Sequence, residues 1–269
     1  MQISFFEEFP TKENLDKLKL VNWPTKLYLA AKSLEEFNRL KASLMNKNSK
    51  SSIPKNNENN LKEVIYWPIL SKKEGYWISP FSQRKALKRV FSELEHSKIS
   101  VMLDLELPTT KNVWLYLTQA LNFLRNKSLI RRFIEEYKGM VYLAEYYPEG
   151  RAKEKIMEFI GIHYCLKNVK IIKMLYHSLH DYNETFIVKE LQRGKEEFGK
   201  NFLVAYGTIA RGINRNEPVL NVKQLEKDLK IARNMEIREV VIFRLGGLNK
   251  EYLSRIDVPT RSLENTNNY

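Results

Sequence analysis

Segments typical of strands and of helices alternate along almost the whole 269-residue chain. Short apolar runs rich in β-branched and aromatic residues predict strands, and longer stretches with apolar residues three and four positions apart predict helices. Nearly every predicted strand is followed by a predicted helix, which indicates a parallel sheet covered by helices. The predicted strands are residues 2–7, 26–31, 64–68, 99–108, 140–145, 169–177, 201–206 and 239–245.

Eight strand–helix units in a chain of this length predict a single (β/α)8 barrel of the TIM type. A doubly wound open sheet shows the same alternation, but it typically carries a glycine-rich phosphate-binding turn after its first strand. Here the first strand is followed by Glu8-Phe9-Pro10, so the barrel is favoured. We therefore predict an α/β fold with one barrel domain over residues 1–256, a low-complexity loop at 46–60 and a polar tail at 257–269.

The chain is strongly basic, with 45 Lys and Arg against 32 Asp and Glu and a formal net charge of +13. Such an excess attracts nucleic acids and anionic lipids non-specifically. The basic residues are spread over several predicted helices, which is typical of solvated helix faces. We expect no specific nucleic-acid partner, and the alternative would require a contiguous basic stripe on the folded surface.

Cys165 is the only cysteine, which excludes an intrachain disulfide and a cysteine-based zinc site. The first residues are typical of a strand and carry no basic segment followed by an apolar one, as a signal peptide would. No uncharged apolar run approaches the ~18 residues of a membrane span. We therefore expect a cytoplasmic protein with no membrane partner. The alternative is a secreted protein whose signal peptide has been removed, and the sequence also leaves the oligomeric state open.

The predicted fourth strand ends in two carboxylates, Asp104 and Glu106, followed by Pro108. Side chains in a strand alternate between its faces, so both carboxylates point the same way, roughly 7 Å apart. Two like charges at the end of so apolar a strand cost stability unless a ligand or a reaction uses them. Pairing with some of the many Lys and Arg residues is the alternative explanation.

Carboxylates and aromatic residues gather at the predicted carboxyl ends of the strands, where barrels of this type carry their active sites. Aromatic faces that stack on sugar rings, together with paired carboxylates, are typical of a carbohydrate site. We predict Asp104, Glu106 and Glu145 as catalytic residues. The predicted substrate-binding residues are Glu7, Trp67, Tyr146, Tyr176, His177, Tyr206 and Arg244.

Two of these predictions carry alternatives. Glu7 and Glu8 are adjacent and cannot both face the barrel interior, so at most one of them belongs to the site. We expect no metal and no other cofactor, although Asp104, Glu106, Glu145 and His177 are the side chains that would form a metal site.

The segment Leu103-Asp104-Leu105-Glu106-Leu107-Pro108 resembles the D-x-E end of strand four in chitinase-like and lysozyme-like glycoside hydrolase barrels. The resemblance implies that Glu106 is the general acid and that Asp104 helps to position the acetamido group of the substrate. Lys173-Met174-Leu175-Tyr176 is similar to the Met-x-Tyr of the sixth strand in the chitinase-like family, which implies that Tyr176 contacts the reacting sugar.

The chain departs from the fuller chitinase-like pattern D-x-x-D-x-D-x-E, because Ile99 and Met102 stand at its first two acidic positions. Arg244 stands where that family typically has a Trp in its last strand. Our leading hypothesis is a glycoside-hydrolase-like barrel that cleaves or binds a polysaccharide or glycoconjugate. The missing acidic residues favour the alternative, a barrel that binds carbohydrate or protein without catalysis.

Overall fold

The computed structural model of the chain describes residues 1–45, 60–108, 113–146, 150–164, 166 and 169–256. The predicted low-complexity loop lies outside this part of the chain apart from Asn60, and so do Cys165 and the predicted polar tail.

Eight parallel strands pair in chain order and close into a barrel, in which the last strand hydrogen-bonds to the first. The predicted (β/α)8 fold is therefore confirmed. Each predicted strand is present, with ends that move by at most about three residues. The strands are β1 (Gln2–Glu7), β2 (Thr25–Ala31), β3 (Leu61–Pro68), β4 (Val101–Leu105), β5 (Val141–Tyr146), β6 (Val169–Met174), β7 (Phe202–Gly207) and β8 (Glu239–Phe243).

Helices follow the strands on the outside of the barrel. In the described residues they are α1 (Lys12–Asp16), α2 (Leu34–Met45), α3 (Arg84–Leu94), α4 (Val113–Ala120), α5 (Phe123–Glu136), α6 (Gly150–Ile160), α7 (Glu184–Phe198), α8 (Val222–Asn234) and α9 (Lys250–Leu253). None of the helices in this part of the chain is long and apolar enough to span a membrane.

The spacing of apolar residues predicts a helix over 112–126 and another from about 151 to 166, and the boundaries of both differ in the structure. The helix expected over 112–126 ends at Ala120, and α5 begins at Phe123 after a short turn. The helix expected to continue to Leu166 ends at Ile160, because Gly161 adopts a left-handed φ of +73° that terminates a helix. α9 was not predicted, and Asn249 caps its first turn.

Alternation along the strands divides the buried residues into two layers. Phe5, Leu27 and Leu103 face outward and pack under the helices, whereas Phe6 and Met102 face the barrel axis. Because both faces of every strand are covered, most strands are apolar along their length. The barrel interior is filled with side chains up to the carboxyl ends of the strands, where the candidate site begins.

A polar network occupies the barrel axis near the amino ends of the strands. The Glu239 carboxylate accepts hydrogen bonds from Ser4 Oγ at 2.8 Å and Tyr28 Oη at 3.0 Å. Its other oxygen is 2.7 Å from Lys26 Nζ. Three strands are thereby tied together inside the barrel, at the end opposite to the candidate site.

We predict that Glu239→Gln destabilises the barrel by about 2–3 kcal/mol, because a neutral amide leaves the largely buried Lys26 ammonium without its close counter-ion. Urea unfolding followed by far-UV circular dichroism measures the change. Glu95→Gln, at an exposed position after α3, is the matched control and should stay within about 0.5 kcal/mol of the wild type. Equal stability of the Glu239 variant and this control would contradict the role given to the network.

Candidate functional site

A pocket opens at the carboxyl ends of the strands and encloses about 580 Å³, including its open mouth. Its walls combine acidic and aromatic side chains. The carboxylates that line it are Glu8, Asp104, Glu106 and Glu217, and the aromatic side chains are Phe6, Trp67, Trp77, Tyr176 and Phe243.

The end of β4 positions Asp104 and Glu106 on the same side. Met102 and Asp104 face the barrel axis, whereas Leu103 and Leu105 pack outward under the helices. Glu106 follows with the same alternation and also lines the pocket. Asp104 is only 4% exposed and Glu106 is half-buried, and their carboxyl groups share a hydrogen bond.

Burial makes ionisation of this carboxyl pair unfavourable. It raises the pKa of Glu106 to about 7, although the hydrogen bond from Asp104 opposes the rise. The pKa of Asp104 is raised well above its ordinary value by burial and then by the neighbouring charges of Glu106 and Glu8. Two carboxyls that share an apolar site cannot both ionise easily, so the pair keeps a proton near neutral pH.

The loop after β3 brings Tyr76 and Trp77 to the pocket. Ile78 N–H donates to the carbonyl oxygen of Asp104 at 3.0 Å, which fixes this loop beside the end of β4. The Trp77 ring lies nearly parallel to Trp67, at an interplanar angle of 8° and a centroid distance of 6.1 Å. Gly75 makes the turn possible, since its φ of +118° is strained for any residue with a side chain.

Glu217 is a pocket carboxylate that the sequence did not identify, and Glu8 is the one that the sequence left as the alternative to the predicted Glu7. Glu8 Oε1 accepts a hydrogen bond from Tyr76 Oη at 2.8 Å, and burial raises the Glu8 pKa to about 7. Glu8 faces the axis together with Phe6, two residues before it in the chain. Glu217 lies in the long polar loop between β7 and α8, where no local pattern identifies a site residue.

Several buried polar atoms around the pocket have no hydrogen-bond partner in the described part of the chain. Protein interiors rarely leave such atoms unpaired, and their concentration around one pocket indicates that a polar ligand can satisfy them. The atoms are Glu8 Oε2, Trp67 Nε1, Trp77 Nε1, Asp104 Oδ1, Tyr176 Oη and Glu217 Oε2.

Of the residues predicted from the sequence, Asp104, Glu106, Trp67 and Tyr176 line the pocket. Glu7 does not, because its carboxylate points away from the axis and is occupied by other groups. It accepts hydrogen bonds from Gly246 N–H at 2.7 Å and Arg244 Nη1 at 3.0 Å. The side chain of Arg244 is thereby held beside Glu7, outside the pocket lining.

Glu145 also lies outside the pocket, on the outward face of β5. Its carboxylate is 2.8 Å from Lys173 Nζ and 2.7 Å from His163 Nδ1. Burial opposes its ionisation, yet Lys173 and His163 together hold the pKa of Glu145 below its ordinary value. Its environment is that of a buried structural carboxylate whose ionised form is stabilised by its neighbours.

The other predicted binding residues are also directed elsewhere. His177 Nδ1 pairs with Asp228 at 2.9 Å, and Tyr206 is buried under the helices. The Tyr146 ring packs against His180. The metal-binding alternative therefore loses two of its four side chains, since neither Glu145 nor His177 lies beside Asp104 and Glu106.

Another group of potential metal ligands lies outside the pocket. In the described residues Glu154, His163 and Glu197 bring their ligand atoms within 4.8 Å of one another. Arg193 contacts the Glu154 carboxylate and supplies a positive charge to the same group. This arrangement is typical of a structural ion-pair network between α6 and α7.

No protein-family model matches the chain, and no curated protein matches its sequence. Solved structures with a similar fold include the PgaB (BpsB) glycoside hydrolase domain from Bordetella bronchiseptica, at 9% identity and a TM-score of 0.49 over 95% of both chains. They include a GH18 chitinase from Pseudoalteromonas aurantia, at 8% identity and a TM-score of 0.46 over 91% of this chain and 94% of the other. A D-tagatose 3-epimerase-like protein matches at 12% identity and a TM-score of 0.50, over 95% of this chain and 94% of the other.

Glycoside hydrolase barrels are thus among the structural neighbours of this chain, although at a weak level of similarity. Because the neighbours also include an epimerase-like protein, the similarity is one of fold. The chemistry has to be inferred from the pocket itself.

The raised pKa of Glu106 predicts a stability effect that needs no substrate. Between about pH 4.5 and pH 7 the folded chain keeps a proton that the unfolded chain has lost, so the free energy of unfolding falls as the pH rises. A glutamine side chain at this position would be neutral at every pH. We expect Glu106→Gln to be more stable than the wild type by about 1–2 kcal/mol at pH 8, a figure reduced for the partial exposure of Glu106.

Below pH 4 this difference should vanish, because Glu106 is then protonated in both states. Urea unfolding at a series of pH values measures it, and the exposed Glu95→Gln serves as the control. Parallel stability profiles for the wild type and Glu106→Gln would show that this carboxyl has no raised pKa.

Proposed function

We propose that this chain is a glycoside-hydrolase-type enzyme that cleaves a polysaccharide or glycoconjugate in the pocket at the carboxyl ends of the strands. The observation that carries the proposal is the hydrogen-bonded pair of Asp104 and Glu106, which keeps a proton near neutral pH inside an aromatic-walled pocket. A general acid at neutral pH requires a raised pKa of this kind.

In the proposed reaction Glu106 donates its proton to the glycosidic oxygen while the bond from that oxygen to the anomeric carbon breaks. Glu106 suits this role better than Asp104, because its side chain is less buried. Water then adds to the anomeric carbon and returns a proton to Glu106.

The role of Asp104 depends on the sugar. If the sugar carries an N-acetyl group, Asp104 orients that group so that its carbonyl oxygen attacks the anomeric carbon, as in substrate-assisted hydrolysis. For other sugars a second pocket carboxylate has to act as nucleophile or base. Glu8 and Glu217 are in position to do so, whereas Glu7 and Glu145 are bound to other groups.

Aromatic side chains and unpaired polar atoms give the pocket the means to hold a sugar. Trp77 and Phe243 line it with apolar ring surface, on which sugar rings stack. The Tyr176 hydroxyl and the indole N–H of Trp67 are buried without a partner in the described residues and are suited to bind sugar hydroxyls.

We predict that Glu106→Gln lowers hydrolysis of the best substrate by at least about a hundredfold, because general-acid catalysis contributes factors of this size. A panel of polysaccharides and oligosaccharides, with and without N-acetyl groups, identifies the substrate, and reducing-end release measures turnover. For the wild type, kcat/KM should fall above about pH 7 as Glu106 loses its proton. Unchanged turnover in Glu106→Gln, beside an unchanged Glu95→Gln control, would contradict the assignment.

A barrel that binds a glycan without cleaving it is the second candidate function. Met102 favours it, because this residue lies in the apolar barrel interior at a position where the chitinase-like pattern has an Asp. Binding of a glycan by wild-type protein without any product release would support this alternative.

The pocket aromatics provide a prediction that holds for both functions. Trp77→Ala should weaken glycan binding by about tenfold, because stacking on an aromatic face contributes on the order of 1 kcal/mol. Isothermal titration calorimetry measures the affinity, in the Glu106→Gln background if the wild type hydrolyses the ligand. Replacement of an exposed aromatic residue outside the pocket, Phe159→Ala, should leave the affinity unchanged.

A further inference from the structure

An exposed apolar surface lies beside the pocket, on the helices that follow β4. Trp114, Leu117, Leu121 and Leu124 are 72%, 56%, 88% and 74% exposed, and we call these four side chains the apolar stripe. The first three are spaced three and four residues apart, which places them on one side of α4 and the turn after it. The opposite side of α4 is the buried one, where Leu115 and Gln119 are 4% and 9% exposed.

Further exposed apolar side chains extend this surface from the apolar stripe onto α6. Phe123, at the start of α5, contacts the Phe159 ring at a centroid distance of 6.3 Å, and Phe159 and Ile156 are 70% and 59% exposed. Among the exposed large apolar side chains of the described residues, more than half lie on this one face of the molecule. Apolar patches of this extent mark interaction surfaces, because a soluble domain gains nothing from exposing them to water.

The charge around the stripe indicates what covers it. The segment Leu107–Ile134 contains no Asp or Glu but five Lys or Arg residues, in a chain whose net charge is already +13. Arg125 and Arg132 are exposed and seven residues apart, on one side of α5. Lys127 Nζ lies 5.8 Å above the Phe159 ring. Apolar and aromatic side chains bordered by cations are typical of a helix that lies in the surface of an anionic bilayer.

We propose that α4 and α5 bind the surface of an anionic lipid bilayer, with the apolar stripe inserted among the lipids and Arg125 and Arg132 against their headgroups. A second copy of the chain is a less suitable occupant, because pairing this face with itself would bring the basic residues of two 107–134 segments together. In the proposed contact α4 lies along the membrane surface and does not cross it.

The position of the stripe connects it to the pocket. Leu107, which follows the pocket residue Glu106, is itself 42% exposed, and Tyr116 Oη on α4 donates to the carbonyl oxygen of Pro108 at 2.8 Å. A bilayer bound by α4 would therefore lie beside the pocket mouth. The proposed contact does not depend on the proposed hydrolysis, since it rests on other residues.

Tryptophan fluorescence provides a direct test, because Trp114 is exposed and can enter the lipid. The other three tryptophans, Trp23, Trp67 and Trp77, are all at most 6% exposed. The full chain is mixed with vesicles of phosphatidylcholine alone or with about one third phosphatidylglycerol. We expect Trp emission to shift to shorter wavelength and the protein to co-sediment with the anionic vesicles only. Trp114→Phe should abolish the spectral shift and leave co-sedimentation largely intact.

The double variant Leu121→Ser/Leu124→Ser should lower the vesicle partition coefficient at least about tenfold. Both side chains are exposed, so the variant should fold. The matched control Met45→Ser/Val219→Ser, at positions that are each 50% exposed on other faces, should bind as the wild type does. Arg125→Gln/Arg132→Gln should weaken binding to anionic vesicles, whereas Lys223→Gln/Lys230→Gln on α8 should not.

Failure of the wild type to bind anionic vesicles would overturn the proposal, and so would equal binding by the leucine double variant. It would also be overturned if the leucine variant changed only the oligomeric state in analytical ultracentrifugation, since the stripe would then be an interface between copies. Loss of glycan hydrolysis in Glu106→Gln with unchanged vesicle binding would show that the two proposals succeed or fail separately.

Discussion

Closure of the eight strands into a barrel is the constraint on which the rest of this structure depends. Once the strands are paired around an axis, each side chain near a strand end faces either the axis or the helices. Asp104 and Glu8 face the axis and belong to the pocket, whereas Glu145 and Glu7 face outward. The same residue type one position along a strand therefore has an entirely different environment.

The outward carboxylates and the pocket carboxylates differ in how their charge is compensated. Glu145 pairs with the Lys173 ammonium and is hydrogen-bonded to His163, and Glu7 pairs with Arg244 and accepts hydrogen bonds from backbone N–H groups. Asp104 and Glu106 have one another as hydrogen-bond partners instead, so burial raises their pKa values. Retaining such groups costs stability above neutral pH, which is expected where side chains serve a reaction or a ligand and not the fold.

The two proposals place different chemistry on neighbouring parts of one end of the barrel. The pocket offers acidic and aromatic groups inside the ring of strands, while α4 and α5 offer an apolar and basic surface outside it. An acidic pocket in a basic protein keeps the two surfaces electrostatically distinct. If both proposals hold, the substrate would be a glycan found at a membrane surface.

The sequence by itself determined the fold and the location of the candidate site. Eight apolar strands alternating with helices can bury both faces of a sheet in few ways, and β4 carries two carboxylates on one side at its carboxyl end. Most strands, however, are buried on both faces and are apolar along their length, so no polar alternation showed which residues face the axis. For that reason Glu7, Glu145 and Tyr206 were predicted as site residues from their position at a strand end alone. The direction in which each side chain points was not known from the sequence, and all three point outward.

Only the tertiary structure decided which side chains meet in the pocket. Trp77 and Glu217 arrive from loops after β3 and β7, and their places are fixed by contacts between segments far apart in the chain, such as the hydrogen bond from Ile78 to Asp104. The apolar stripe was equally hidden in the sequence. Its spacing is that of an ordinary buried helix face, and only the folded structure showed that these side chains are exposed to solvent.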